Sequence, residues 1–530
     1  MELHSQELWQ LTGLLVAMTA LLVFASFFSI PYPILLVLGG LALGFVPGLP
    51  DFELPPELVL IAFLPPLLYA SAFFTSLRDL RANIRPISLL AVGLVGATMV
   101  GVAVVAHAVI DEITWPAAFV LGAVVSPTDP LAATTIARRL GVPRRLVTVI
   151  EGESLVNDAT ALVFYRTAVA ATVTGAFSLW EAGGRLVLNA VAGVAIGLAV
   201  GYVIRQIRRR IHHAPTEITI ALLTGYLAYL PAEALGVSAV LAAVTSGIYL
   251  GWYTPELTTT DTRLQGEAFW RILVFIMNAV LFTLVGLQLP QILDGLTGWS
   301  RSEVATAGVA VVATVVLIRL ALVFPFAYVP RYLSARIRAR DPYPHWSIPF
   351  TLGWAGLRGA VSLAAALAIP LETDSGAPFP ARDLIIFLTF CVILFTLVVQ
   401  GLTLPWIIER LGLEDDGLEA EEDARARKRA AMAALERLDE IELEGWVRDD
   451  TLERSRGLYR FRIDRFAERL GHGDGGIEER SESYQRLRRE LLRAEEHAVV
   501  EMRREGGISD AVMNRVLRDI ALEDARLDRG

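Results

Sequence analysis

Apolar windows long enough to cross the ~30 Å hydrocarbon core of a bilayer recur along this chain from residue 8 to about residue 410. About thirteen are readable from window length and flanking charge. They fall near 8–29, 32–49, 57–76, 86–110, 115–137, 146–173, 185–204, 216–234, 236–251, 268–292, 304–329, 347–370 and 383–409. The second and ninth are short, so twelve crossings is the alternative. The pattern predicts an all-α polytopic membrane protein. Composition agrees: of 530 residues, 54% are hydrophobic and 19% charged, where a soluble domain carries about 25% charge. The first window lacks a basic lead-in and a cleavage site, so it reads as a span rather than a signal peptide.

Arginine placement orients the spans. With the N-terminus outside, the cytoplasmic loops hold Arg78, Arg81 and Arg85, then Arg138, Arg139, Arg144 and Arg145. Next come Arg205, Arg208, Arg209 and Arg210, then Arg331, Arg336, Arg338 and Arg340. The opposite loops hold little beyond Arg185, Arg301 and Arg382. The expectation is a multi-pass protein of the plasma (inner) membrane, N-terminus outside, C-terminal tail cytoplasmic. Cys391 is the only cysteine and lies in an apolar run, which excludes disulfides and thiolate metal sites.

After residue 411 the composition turns charged and no spanning window follows. Residues 1–411 are therefore expected to form a transmembrane domain, and 412–530 a charged helical tail. In the tail, Met432, Leu435, Leu438 and Ile441 recur at helical spacing, as do Tyr484, Leu487, Leu491 and Leu492. Ser509 ahead of Val512, Val516 and Ile520 has the pattern of an N-cap, and Gly471 to Gly476 a break. The chain holds no Walker motif, dinucleotide fingerprint or HExxH, so neither an enzyme nor a bound cofactor is suggested, and no nucleic-acid partner.

The polar residues inside the apolar windows carry the functional information. Glu151-Gly-Glu-Ser-Leu-Val-Asn-Asp158 places three carboxylates in one span, where each costs about 2.5–3.5 kcal/mol even on insertion scales. Residues three, four and seven apart share a helix face, so Glu151, Ser154 and Asp158 line one side, with Asn157 beside it. Glu153 precedes Asp158 by five residues, roughly 140° around the helix, and must look elsewhere. Asp158, Ser154 and Asn157 offer the hard oxygens that suit a small alkali cation. Glu153 needs a fixed basic partner, while Glu151 lies nearest the cytoplasmic end.

Two further spans carry interruptions. Ser126-Pro-Thr-Asp-Pro130 removes two backbone donors and frees the carbonyls of Ala123 and Ser126, so Thr128 and Asp129 sit at a break. Gly353, Gly356 and Gly359, at steps of three, permit close helix approach or local unwinding around Arg358. Arg358 requires a partner at that depth, with Glu153 the first candidate and Asp129 the second. Two broken spans running in opposite directions, one per half, predict inverted repeats. Arg319 and Arg271 read as structural pairs or snorkelling side chains. Arg166 either holds the outer end of the site or reaches the interface. His107, Asn278 and Gln288 read as helix-bridging hydrogen-bond formers.

Glu151-Gly-Glu-Ser-Leu-Val-Asn-Asp158, Ser126-Pro-Thr-Asp-Pro130 and Gly356-Leu-Arg-Gly-Ala-Val-Ser362 together resemble the motifs of the monovalent cation:proton antiporter family, and within it the bacterial NhaP-type sodium/proton exchangers. Leu64-Pro-Pro-Leu-Leu68, Gly286-Leu-Gln-Leu-Pro290 and Gly401-Leu-Thr-Leu-Pro405 resemble the same group, so the likeness spans 8–411. It implies that Asp158 binds either a proton or Na+ (Li+ or K+ being alternatives), with Asn157 beside it and Ser154 and the Thr128 backbone supplying further oxygens. It implies a structural ion pair of Glu153 with Arg358, and supporting places for Asp129 and Glu151. In that family an Asn-Asp pair goes with electroneutral exchange, and members are homodimers with a core domain sliding elevator-fashion past a dimerisation domain. Many relatives carry an acid where this chain has Ala70, which leaves Ser71 or water as a substitute ligand. A cation channel gated by the tail is the alternative from another class, but neither a ring of acids nor a carbonyl filter is visible. A carrier for an organic anion is disfavoured by Asp158 and Glu151.

Overall fold

The computed structural model describes residues 5–27, 30–46, 59–175, 179–471 and 476–529, and among these no β-strand occurs. The chain divides into two compact units, Met1–Glu414 and Asp415–Gly530. In the first, the expected apolar windows are helical over most of their described parts, apart from some ends and two interior breaks; the ends of the first three windows fall outside the described residues. Among the described residues, six helices are long and apolar enough to cross a membrane by length and composition, the longest spanning Thr260–Asp294. Tyr32–Gly44 and Val59–Phe74 are shorter apolar helices. Arg144–Thr174 is also helical throughout its 31 residues, but its buried carboxylates lower its hydropathy.

Both predicted interruptions are complete breaks rather than kinks. The first broken span consists of helices Trp115–Val125 and Pro130–Arg139. Between them, Pro127 and Pro130 supply no N–H to a helical ladder, and the chain runs extended. Asp129 accepts from Leu131 N at 2.9 Å and so caps the second half-helix, with Pro130 at its first position. The second broken span consists of Ser347–Trp354 and Ala360–Leu367. The two breaks are joined directly, because Asp129 N donates to Leu357 O at 2.8 Å.

Outside the apolar segments, three arginines from separate helices converge on one carboxylate. Asp341 accepts from Arg145 at 2.9 Å, from Arg331 at 2.8 Å, and from Arg85. Burial pushes the Asp341 carboxyl up, but the hydrogen bonds from Arg145 and Arg331 outweigh it and hold the group at about 2. Arg208, counted among the loop charges, is instead buried beside Glu217 at 3.6 Å.

The second unit is built from two helix pairs, Leu418–Glu444 with Asp449–Arg469, and Ile477–Arg504 with Asp510–Arg529. Ser509 Oγ accepts from Val512 N at 3.4 Å, the bond expected of an N-cap. Of the expected glycine break, residues 472–475 lie outside the described residues.

Candidate functional site

The Arg144–Thr174 helix presents two faces with different chemistry. One borders a cavity of about 580 Å³, whose walls include Glu151, Ser154 and Asp158. The first break contributes Thr128 and Asp129 to the same cavity, and the second contributes Gly359, Ala360 and Ser362. Tyr32, Ser71 and Asn278 add further polar groups, Arg138, Glu267 and Arg271 add charged ones, and Ala70 lies on its wall. Asp158 and Asp129 are each partly accessible to this space. The cavity thus holds hydroxyl and carboxylate oxygens, the donor set of a hard alkali cation.

The other face is sealed. Glu153 is 1% exposed and Asn157 0%. Glu153 is ion-paired, but its partner is Arg319 rather than Arg358. Arg319 Nη1 donates to Glu153 Oε1 at 2.5 Å and Nη2 to Oε2 at 2.9 Å, a two-pronged geometry. The remaining Arg319 donors reach the carbonyls of Gly353 and Leu352 at 3.2 and 3.0 Å. Thr128 Oγ1 donates to Glu153 Oε1 at 3.3 Å, and Asn157 Nδ2 donates to Thr128 Oγ1 at 2.8 Å. A continuous chain therefore runs from Asn157 through Thr128 and Glu153 to Arg319, tying the first break to two long helices.

Arg358 has other work, and the interruption explains why. Its Nε donates to Val125 O at 3.2 Å, the carbonyl that closes the first half-helix, and its Nη1 to Gly356 O. Its own backbone N donates to Thr396 Oγ1 at 3.1 Å. A fixed cation thus faces the carbonyl-rich end of Trp115–Val125, where the helix dipole is negative. Two of the three glycines make room for charged groups. A Cβ at Gly356 would lie 2.2 Å from Arg319 Nε, and one at Gly359 would lie 2.0 Å from Asp129 Oδ2.

These hydrogen bonds involve two of the residues expected near the cation, and leave the Thr128 backbone, the expected ligand, untouched. The Thr128 hydroxyl is engaged on both sides within the chain of hydrogen bonds, although Thr128 still borders the cavity. Asn157 points its amide into that chain, and its Oδ1 is buried with no hydrogen-bond partner among the described residues. Glu151 pairs with Arg138 at 2.7 Å. Arg166 lies away from Asp158's chemistry, its Nη2 bridging both Glu233 oxygens at 2.6 and 2.7 Å. Arg271 pairs with Glu267 one turn away at 3.0 Å. The residue that sequence reasoning undervalued is Arg319. The available signal was its place in the middle of an apolar span, where a guanidinium requires a partner.

The family model for the transmembrane sodium/hydrogen exchanger matches residues 14–410. An uncharacterised Na+/H+ exchanger of Mycobacterium tuberculosis is 37% identical over 500 residues, covering 93% of this chain and 91% of that protein. The Na+/H+ antiporter ApNhaP of Aphanothece halophytica is 34% identical over 417 residues, covering 78% and 76%. A sodium, potassium, lithium and rubidium/H+ antiporter of Bacillus subtilis is 35% identical over 391 residues, covering 72% of this chain and 58% of that one. The solved structure of the sodium/proton antiporter MjNhaP1 from Methanocaldococcus jannaschii shares the fold, with a TM-score of 0.61 at 19% identity, covering 77% of this chain and 99% of that one. The chain is a member of the sodium/hydrogen exchanger family, of the NhaP type.

Proposed function

We propose that this protein is a secondary antiporter that exchanges Na+, or Li+ or K+ in its place, for H+ across the plasma membrane. Asp158 binds the proton or the cation in turn, with Ser154, Asp129 and the Thr128 backbone as neighbouring oxygens. The single observation that carries this reading is the division of the acids. Glu153 is neutralised by Arg319, whereas Asp158 and Asp129 face an accessible cavity between two broken helices. An empty carboxylate would be costly to carry across the hydrocarbon core, so the site moves only when protonated or cation-loaded, and that coupling is exchange.

The remaining features of the proposal follow from the family. Exchange is electroneutral, because a single aspartate beside Asn157 carries the cycle. The protein works as a homodimer whose core domain moves elevator-fashion, with thirteen crossings, the N-terminus outside and the tail in the cytoplasm. Ala70 places no acid on the cavity wall, so Ser71 or water completes the coordination shell.

The test is reconstitution in liposomes containing a pH-sensitive dye, with Na+, Li+, K+ and choline pulses across pH. Dye recovery with alkali cations but not choline is the expected result. Equal responses to all four salts, or an Asp158→Asn protein that still exchanges, would sink the proposal.

A further inference from the structure

Resting on the exchange proposed above, we infer that Glu151 and Arg138 form an admission station for the cation. An entering, partly hydrated monovalent cation displaces Arg138 from the Glu151 carboxylate before it reaches Asp158. Three observations converge on this.

The first is alignment. Glu151, Ser154 and Asp158 lie on one helix face and border one cavity, as does Arg138. Seven residues of α-helix separate Glu151 from Asp158 by roughly 10 Å along the axis and about 20° in angle, with Ser154 between them. A cation leaving Glu151 therefore meets an oxygen at each turn.

The second is the gradient of exposure. The Arg138 side chain is 65% exposed and that of Glu151 25%, while Glu153, two residues along, is 1% exposed and its partner Arg319 3%. Water reaches the first pair and not the second, so only the first can trade a guanidinium for a hydrated ion.

The third is the geometry of the pair. Arg138 meets Glu151 through one bond, Nη2 to Oε1 at 2.7 Å, not through the fork that locks Arg319 onto Glu153. Arg138 also occupies the last turn of the ten-residue half-helix Pro130–Arg139. A displaced guanidinium finds the negative end of that helix close at hand, which gives it a second resting place. The cavity's other rim charges, Glu267 and Arg271, are already paired with each other on one helix, so they neither replace Arg138 nor compete for it.

The station makes opposite predictions for its two members. In proteoliposomes, Arg138→Gln frees the carboxylate and is expected to lower the KM for Na+ roughly two- to fivefold, the scale of an exposed ion pair. Glu151→Gln is expected to raise the KM by a similar factor, and the double variant to match Glu151→Gln, because Arg138 acts only through Glu151. Arg138→Lys should restore the wild-type KM, and melting profiles should coincide throughout. If both single substitutions raise KM alike, the pair is merely structural and the inference fails. It fails too if neither moves KM while wild type exchanges and Asp158→Asn does not. Absence of exchange in the wild type removes the underlying antiport reading, and the station with it.

Discussion

Glu153 and Asp158 are carboxylates on one helix, less than two turns apart, yet they live in opposite conditions. Glu153 is clamped by both prongs of Arg319 and by the Thr128 hydroxyl, and no water reaches it. Asp158 opens onto a cavity of about 580 Å³ shared with Asp129 and Ser154. The lesson is that intramembrane acids are sorted by supply of donors rather than by depth. A carboxylate given a full set of donors becomes architecture, and one left short of them stays open to a ligand.

The largest test of this contrast is Asp158→Asn. The amide keeps the shape but removes the charge that proton and cation share, so exchange is expected to fall to background in proteoliposomes, with the melting temperature little changed. Glu153→Gln or Arg319→Gln should do the reverse at first order, acting on the fold. Removing one partner leaves a buried charge uncompensated and is expected to cost about 3–5 kcal/mol. The double variant should lose less than the sum of the two, which a double-mutant cycle by thermal unfolding would reveal. Additive losses would mean that the pair is not the brace described here.

Thr128→Val comes next. It deletes the hydroxyl relay between Asn157 and Glu153 at constant volume, and about 1–3 kcal/mol of stability should go with it. A loss of that size confined to exchange, with no change in unfolding, would move Thr128 from the brace to the transport face. The smallest effect is expected at Asp341→Asn, within about 1 kcal/mol, because the cluster is partly solvated. Its pH dependence has a definite sign. The folded carboxyl is held at about 2 against an ordinary 3.8, so its contribution is fully present above about pH 4 and is lost as pH falls through 2. Acid unfolding of wild type and Asp341→Asn should therefore converge at low pH.

Much of the site could be read from the chain alone because it depends on local rules. Pro127 and Pro130 cannot continue a helical ladder, so the first break was legible. The 100° step of the helix separated Glu153 from Asp158 without any knowledge of neighbours. The partner of Glu153 was not legible. Arg319 and Arg358 are both lone guanidiniums in apolar spans, and nothing in local spacing ranks them. What decides is that Arg358 sits inside an interruption, where freed carbonyls claim it, whereas Arg319 stands on an intact helix and is free to reach across. Asn157 shows the same limit: its helical angle placed it near the cavity, but the Thr128 hydroxyl drew its amide inward.

The bond from Asp129 N to Leu357 O has a consequence for how the crossing tolerates change. It is made by main chain on both sides, so it does not depend on which side chain occupies position 357. The Leu357 side chain is itself fully buried and answers to core packing, whereas proline at 129 would abolish the donor outright. The seam also ties the two interruptions to each other through main chain, so neither can be separated from the other without breaking that bond.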